Sequence, residues 1–187
     1  MNNIFILNMI LLLLYYMREC LKMKKIYIAG PDVFEKDSIE IGKRVVALCK
    51  EYGYIGLYPL DNVVDFSQPK QKIAQDIFEA NRAMIKEADI VIANVNPFRG
   101  KEPDSGTIWE CGYAYGLGKE VYAYMQDTDA YITRFSDEEK SPLDGHYVDK
   151  QNRVIEDFAY PLNLMIACSV KEIIRGEFED VLKNIQK

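Results

Sequence analysis

The sequence predicts an α/β fold, in which a flavodoxin-like doubly wound sheet of five parallel strands is flanked by helices in a single domain. Two observations support this prediction. Short apolar segments alternate with longer segments of helical periodicity, and such alternation produces right-handed crossovers between parallel strands. The 187 residues also suit one domain, and they contain no internal repeat, low-complexity tract or linker.

The first half of the chain predicts two strands and two helices. Residues 24–29 (KKIYIA) form a buried strand that ends at Gly30. Residues 36–52 have helical spacing of apolar side chains, and residues 54–58 (YIGLY) form a second strand. A polar loop follows, and residues 71–88 then form an amphipathic helix.

The middle of the chain predicts a third strand, a helix and a fourth strand. Residues 89–95 (DIVIANV) are short, β-branched and apolar, as in a buried strand. A helix that contains Glu110 runs to Leu117, and residues 120–125 form the next strand. Ligands of such sheets bind beyond the carboxyl ends of the strands, so we expect Gly30-Pro31, Asn96-Pro97 and residues 104–110 to gather at that edge.

The last third of the chain is less regular. Residues 126–150 are polar and irregular, as in a lid or a subunit-contact loop. We expect a helix over residues 151–160, a fifth and shorter strand over residues 164–170, and a closing helix over residues 171–185.

The N-terminus differs from the rest of the chain. Residues 4–17 are almost continuously apolar, but they are too short to span a bilayer comfortably and lack a preceding basic residue or a small-residue cleavage site. We expect residues 1–22 to be a mis-assigned start or a dispensable extension, with a membrane anchor as the alternative. Residues 23–187 form the predicted domain, which begins at a second methionine, Met23.

Composition excludes several classes of function. The net charge of −6 argues against a nucleic-acid groove, which needs a basic face, but it permits an uncharged nucleoside. With four scattered cysteines and His146 as the only histidine, the sequence predicts no metal site. Scattered cysteines are also typical of a reducing compartment, so we expect a cytoplasmic protein that is not bound to a membrane.

The segment DSGTIWECGYA, residues 104–114, places two carboxylates around a glycine turn that opens a helix. A carboxylate in the first turn lies near the positive end of the helix dipole, which favours the ionised, nucleophilic form. Glu110 is the predicted nucleophile. The pattern is also typical of a capping box between Thr107 and Glu110, of a turn-forming Asp104, and of a core role for Tyr27 on its buried strand.

Five segments in the same order resemble the nucleoside 2-deoxyribosyltransferase family. They cover the chain from residue 24 to about residue 170, and the D-x-G-T-x-x-E-x-G-x-A pattern is the most specific of them. The segments are KKIYIAGPDVF from residue 24, PLD from residue 59, NRAMIKEADI from residue 81, DSGTIWECGYA from residue 104 and PLNLM from residue 161.

The resemblance implies a role for each matching residue. Glu110 would attack the anomeric carbon of a 2′-deoxynucleoside, Asp104 would contact and protonate the departing base, and Tyr27 would orient the nucleophile. Asn163 and Met165 would enter the pocket of a neighbouring subunit, so the resemblance implies a homo-oligomer, either a dimer or a trimer of dimers.

Three further residues complete the predicted substrate site. Asn81 stands where many family members have an aspartate that contacts the nucleobase, and an amide cannot release a proton at neutral pH. Phe34, and less so Trp109, could act as aromatic walls that exclude water. Gly106, within the central motif, is the third residue that we expect to contact the substrate.

The expected reaction is base exchange between 2′-deoxynucleosides and free nucleobases. An oxocarbenium-like transition state next to a carboxylate leads to a glycosyl-enzyme ester, and two inversions retain the configuration. No metal or organic cofactor is expected. Two alternatives stay open: a 2′-deoxynucleoside 5′-monophosphate N-glycosidase, for which Ser105, Lys36 and Arg99 offer fragments of a phosphate site, and a binding module without turnover.

Overall fold

The computed structural model describes residues 23–62 and 64–186, so the expectations for residues 1–22 fall outside the described part of the chain. The strands are β1 (Lys25–Ala29), β2 (Ile55–Leu57), β3 (Ile90–Asn94), β4 (Glu120–Met125), β5 (Lys140–Leu143), β6 (His146–Asp149) and β7 (Glu172–Arg175). The α-helices are α1 (Ser38–Glu51), α2 (Lys70–Glu87), α3 (Ser105–Gly116), α4 (Leu164–Ala167) and α5 (Phe178–Ile185). Single 3₁₀ turns lie at Pro31–Phe34, Pro59–Asp61 and Tyr131–Arg134.

The predicted fold class is confirmed. Five parallel strands form one sheet in the order β2-β1-β3-β4-β7, which places β1 and β3 side by side at its centre. Residues Ile90–Asn94 of β3 are almost wholly buried because helices cover both faces of a parallel sheet. The carboxyl ends of the strands therefore meet at one edge.

Alternation along β1 decides which side chains face which helices. Ile26 and Ile28 pack with α1 and α5 on one face of the sheet. Tyr27 and Ala29 pack with α2 and α3 on the other face. Because successive strand residues point to opposite faces, Tyr27 faces the helix that carries Glu110.

The predicted strand over residues 164–170 is wrong. These residues form the short helix α4, because Asn163 caps its N-terminus and accepts a hydrogen bond from the backbone N–H of Met165. The fifth strand is β7, which pairs with β4. The closing helix consequently begins at Phe178, later than predicted.

The segment before α4 also differs from the prediction. The irregular loop predicted over residues 126–150 contains the antiparallel hairpin β5–β6, which turns at Asp144-Gly145 with positive φ at both residues. The helix predicted over residues 151–160 does not form. Val154 bridges to Val148 and extends the hairpin, while Asn152 and Ala159 have left-handed backbones that a helix excludes.

Candidate active site

Helix α3 begins with a cap that differs from the predicted one. Asp104 is the N-cap residue, and its carboxylate accepts hydrogen bonds from the backbone N–H of Thr107 at 2.9 Å and from the Thr107 hydroxyl at 3.1 Å. Thr107 is thus the third residue of the helix and Glu110 the sixth. The capping-box prediction for Thr107 and Glu110 is wrong, because Asp104 already caps the helix three residues earlier.

Glu110 lies about one turn further along α3 than predicted, and its side chain contacts Tyr27 of β1. The hydroxyl of Tyr27 donates a hydrogen bond to Glu110 Oε1 at 2.5 Å. The Tyr27 ring is fully buried, and burial raises the pKa of its hydroxyl, with a further rise from the Glu110 carboxylate. Tyr27 therefore stays protonated and acts as a fixed hydrogen-bond donor to this carboxylate.

Burial dominates the electrostatics of Glu110. It raises the pKa of the carboxyl to about 7, the hydrogen bond from Tyr27 lowers that pKa, and the negative charge of Asp104 raises it. The expectation that a first-turn position keeps Glu110 ionised is wrong, since the residue lies beyond the first turn and has lost much of its hydration. A carboxyl with a pKa near neutrality is typical of catalytic sites.

Glu110 and Asp104 lie in the same cavity of about 530 Å³. This volume is in the range of small-molecule sites. Asp104 and Glu110 are the charged residues of its described lining, and both are acidic. The lining residues are Gly30, Val33, Phe34, Ile39, Pro59, Leu60, Asn62, Val64, Phe66, Ile77, Asn81, Asp104, Gly106, Thr107 and Glu110.

The cavity brings together six of the predicted site residues, namely Glu110, Asp104, Asn81, Phe34, Gly106 and, through its hydrogen bond to Glu110, Tyr27. Gly30 also lines it, as expected for the end of β1. Asn96, which follows β3, binds the backbone N–H of Gln126 instead and is not a lining residue.

Aromatic side chains divide between the cavity and the surface. Phe34 lines the cavity at 57% exposure, stacks on Phe98 with the ring centroids 5.5 Å apart, and lies beneath the Arg99 guanidinium at 5.3 Å. Trp109 is 46% exposed, stacks on Tyr113 and is not a lining residue, so it is neither a wall of the cavity nor a core residue.

Asn163 and Met165 do not reach this cavity within their own chain. Asn163 lines a separate cavity of about 350 Å³, where its amide donates to Glu156 Oε1 at 2.6 Å. The other oxygen of Glu156 accepts from the backbone N–H of Leu164 at 2.9 Å, which holds the start of α4. The Met165 side chain is 73% exposed.

Sequence reasoning missed the outer wall of the cavity. Leu60, Asn62, Val64 and Phe66 belong to the segment that we predicted to be a polar loop, Pro59 directly precedes it, and all five residues line the cavity. The available signal was position: this loop follows a parallel strand, so it lies at the edge where ligands bind. Ser105, Lys36 and Arg99, the predicted phosphate fragments, are not lining residues.

No helix within 23–62 and 64–186 is both long and apolar enough to cross a membrane. The same residues contain no group of three or more His, Cys, Asp and Glu side chains arranged to hold a metal ion.

Comparison with known proteins gives a consistent assignment. Residues 26–165 match the family described as nucleoside 2-deoxyribosyltransferase. The chain is 30% identical over 113 residues to an uncharacterized protein of Schizosaccharomyces pombe, a match that covers 59% of this chain. It spans about half the length of that curated relative, 54%.

Two solved structures are also similar. A 2-desoxiribosyltransferase from Leishmania mexicana is 33% identical with a TM-score of 0.64, and the match covers 86% of this chain and 97% of that chain. A 2-deoxyribosyltransferase from Bacillus psychrosaccharolyticus is 24% identical with a TM-score of 0.53, covering 84% and 90% respectively. At this lower identity, the second likeness shows the fold alone.

Proposed function

This chain belongs to the nucleoside 2-deoxyribosyltransferase family, and we propose that it transfers the 2-deoxyribosyl group of a 2′-deoxynucleoside to another purine or pyrimidine base. The observation that carries the proposal is the half-buried Glu110 carboxylate, which borders the cavity and accepts a hydrogen bond from Tyr27. One carboxylate oxygen is held by this bond, which leaves the other to attack a sugar carbon.

In the first step, the free oxygen of Glu110 forms a bond to C1′ while the glycosidic C–N bond breaks. The bonding electron pair leaves with the base. In the reactive form Glu110 is ionised and Asp104 carries a proton, and Asp104 gives this proton to the departing base, which leaves neutral. In the second step, a nitrogen of the incoming base attacks C1′ from the opposite face, its proton passes to Asp104, and Glu110 is released. Two inversions return the β configuration.

The charge of the cavity favours an uncharged nucleoside over a 5′-monophosphate. The charged residues of the described lining are two acids, whereas a phosphate needs cations or several convergent N–H donors. The largely apolar wall also limits water near the ester, and transfer outruns hydrolysis only where water is excluded.

A shared site between subunits is part of the proposal. Met165 is largely exposed at the start of α4, and Asn163 keeps one amide N–H and one oxygen lone pair after its contacts within the chain. In a homo-oligomer these groups would complete the cavity of a neighbouring copy.

Two incubations test the proposed reaction. Deoxyinosine with adenine should yield deoxyadenosine, and Glu110→Gln should abolish this product. A deoxynucleoside 5′-monophosphate in water should release no base. Base release in the second tube together with no exchange in the first would contradict transfer and support the N-glycosidase; product formation by Glu110→Gln would contradict the nucleophile.

A further inference from the structure

Asn62 has one possible amide orientation. Its side-chain nitrogen donates a hydrogen bond to the backbone oxygen of Pro59 at 3.0 Å. A carbonyl oxygen can only accept, so the reverse orientation would place two oxygens against each other. The NH2 group of Asn62 therefore points towards Pro59, and it also contacts Asn81 Oδ1 at 3.4 Å.

The orientation of Asn62 fixes that of Asn81. Because Asn62 presents an N–H group, Asn81 must present its oxygen, since the reverse would bring two NH2 groups together. Asn81 lines the cavity, and its NH2 group donates to no other residue in the described part of the chain. Within residues 23–62 and 64–186, no group therefore competes with a ligand for the two N–H donors of Asn81.

We propose that Asn62 is a specificity-determining residue, which holds the amide of Asn81 with its NH2 group towards the nucleobase and so selects bases that present a carbonyl oxygen there. Hypoxanthine would then be preferred over adenine, and uracil over cytosine. The proposal rests on the proposed function, because it assigns the Asn81 end of the cavity to the base.

The physical basis is the cost of an unpaired donor. When the N–H group of Asn81 faces a carbonyl oxygen of the base, the two form a hydrogen bond. When it faces an exocyclic NH2 group, both groups are donors, and both stay unpaired in a half-buried site. A difference of about tenfold between the two bases corresponds to one such hydrogen bond.

Internal competition measures this preference. The protein is incubated with deoxyuridine as sugar donor and equal concentrations of hypoxanthine and adenine, and the ratio of deoxyinosine to deoxyadenosine is determined at early times. The ratio does not depend on the amount of active protein, so partial unfolding of a variant cannot change it. We expect about 10:1 for the unaltered chain.

Two variants separate the role of Asn62 from that of Asn81. Asn81→Asp keeps the shape but offers the base only an acceptor, so the preference should reverse towards adenine. Asn62→Ala frees the Asn81 amide to turn, so the ratio should fall towards 1:1 without reversal. Gln71→Glu places the same change of charge at an exposed position of α2 and should leave the ratio unaltered.

Calorimetric binding of free hypoxanthine and adenine keeps this test independent of turnover. Absence of any transfer together with tighter hypoxanthine binding that Asn81→Asp reverses would contradict the proposed function and support the base preference. A ratio near 1:1 in the unaltered chain, a preference for adenine, no effect of Asn62→Ala, or binding of neither base would overturn the proposal.

Discussion

As the proposed nucleophile, Glu110 would have to be ionised to attack a sugar carbon, yet its burial raises the pKa of the carboxyl to about 7. Tyr27 opposes this effect because its hydroxyl donates a hydrogen bond to the charged form. Asp104 lines the same cavity, and its negative charge raises the pKa of Glu110 because two ionised carboxylates repel each other. The carboxyl group of Glu110 therefore gains or loses its proton near neutral pH.

Tyr27→Phe should move the acid limb of the pH profile of kcat/KM to higher pH. Below its pKa Glu110 is protonated and cannot attack, and loss of the Tyr27 hydrogen bond raises that pKa further. The profile is measured from about pH 5 to 9, a range that brackets the unaltered limb.

Tyr58→Phe is the matched control for this change. Tyr58 is also buried, but it packs on the other face of the sheet and its hydroxyl has no hydrogen-bond partner among the described residues. The acid limb should stay in place in this variant. An unaltered limb in Tyr27→Phe, or one displaced to lower pH, would show that Tyr27 does not stabilise the ionised nucleophile.

At the scale of the element, α3 is held by the same side chain that is proposed to act as the acid. Asp104 caps the helix through Thr107, and its carboxylate borders the cavity. Structural and chemical roles of one residue can be separated by choosing substitutions that keep the cap but change the chemistry.

Asp104→Asn should retain stability and lose activity, whereas Asp104→Ala should lose both. Asparagine caps helices as well as aspartate does, so Asp104→Ala should lower the free energy of unfolding by about 1 kcal/mol and Asp104→Asn by much less. Neither replacement can protonate a departing base, so both should lose most of the transfer rate. Urea unfolding and the exchange assay measure the two effects; wild-type exchange by Asp104→Asn would mean that Asp104 is only a cap.

The elements that sequence periodicity predicts best are those with a long or strongly biased pattern. Residues 89–95 were predicted as a strand and contain β3, because a short β-branched run between polar residues has few other solutions. The strand predicted over residues 164–170 is wrong because a short apolar run fits a strand or a helical turn equally well, and the capping contact of Asn163 selects the helix.

The site could be predicted in part for the same reason. Asp104 and Glu110 lie at the edge where the doubly wound fold gathers the carboxyl ends of the strands, so their presence at the site is predictable, whereas the role of Tyr27 is implied only by the family resemblance. The contribution of Asn62 and Phe66 could not be predicted, because it depends on how an irregular loop folds over the cavity. The pKa of Glu110 likewise follows from burial, which the position in the sequence does not reveal.

At the scale of the whole molecule, the proposed shared site predicts complementation between inactive chains. Glu110→Gln removes the nucleophile, and Asn163→Ala removes a group offered to the neighbour. In a mixed dimer, one of the two sites combines an intact Glu110 with an intact Asn163 from the other copy. Random mixing should therefore restore about a quarter of the unaltered activity.

The complementation experiment requires that the two proteins be unfolded or dissociated together and then reassembled. A mixture of Glu110→Gln with Asp104→Asn serves as the control, because both changes fall on the same copy's part of the site and every site stays defective. Activity no higher than the sum of the two separate variants would show that each chain forms its site alone.

The central claim is that Glu110 forms an ester with the sugar, and mass spectrometry after incubation with a 2′-fluoro-2′-deoxynucleoside tests it most directly. The fluorine destabilises the oxocarbenium-like transition state, so the glycosyl-enzyme persists long enough to be weighed. We expect the intact mass to rise by one fluorodeoxyribosyl group, located on the peptide that contains Glu110 and absent from Glu110→Gln. An adduct on another residue, or no adduct in a preparation that exchanges bases, would contradict this mechanism.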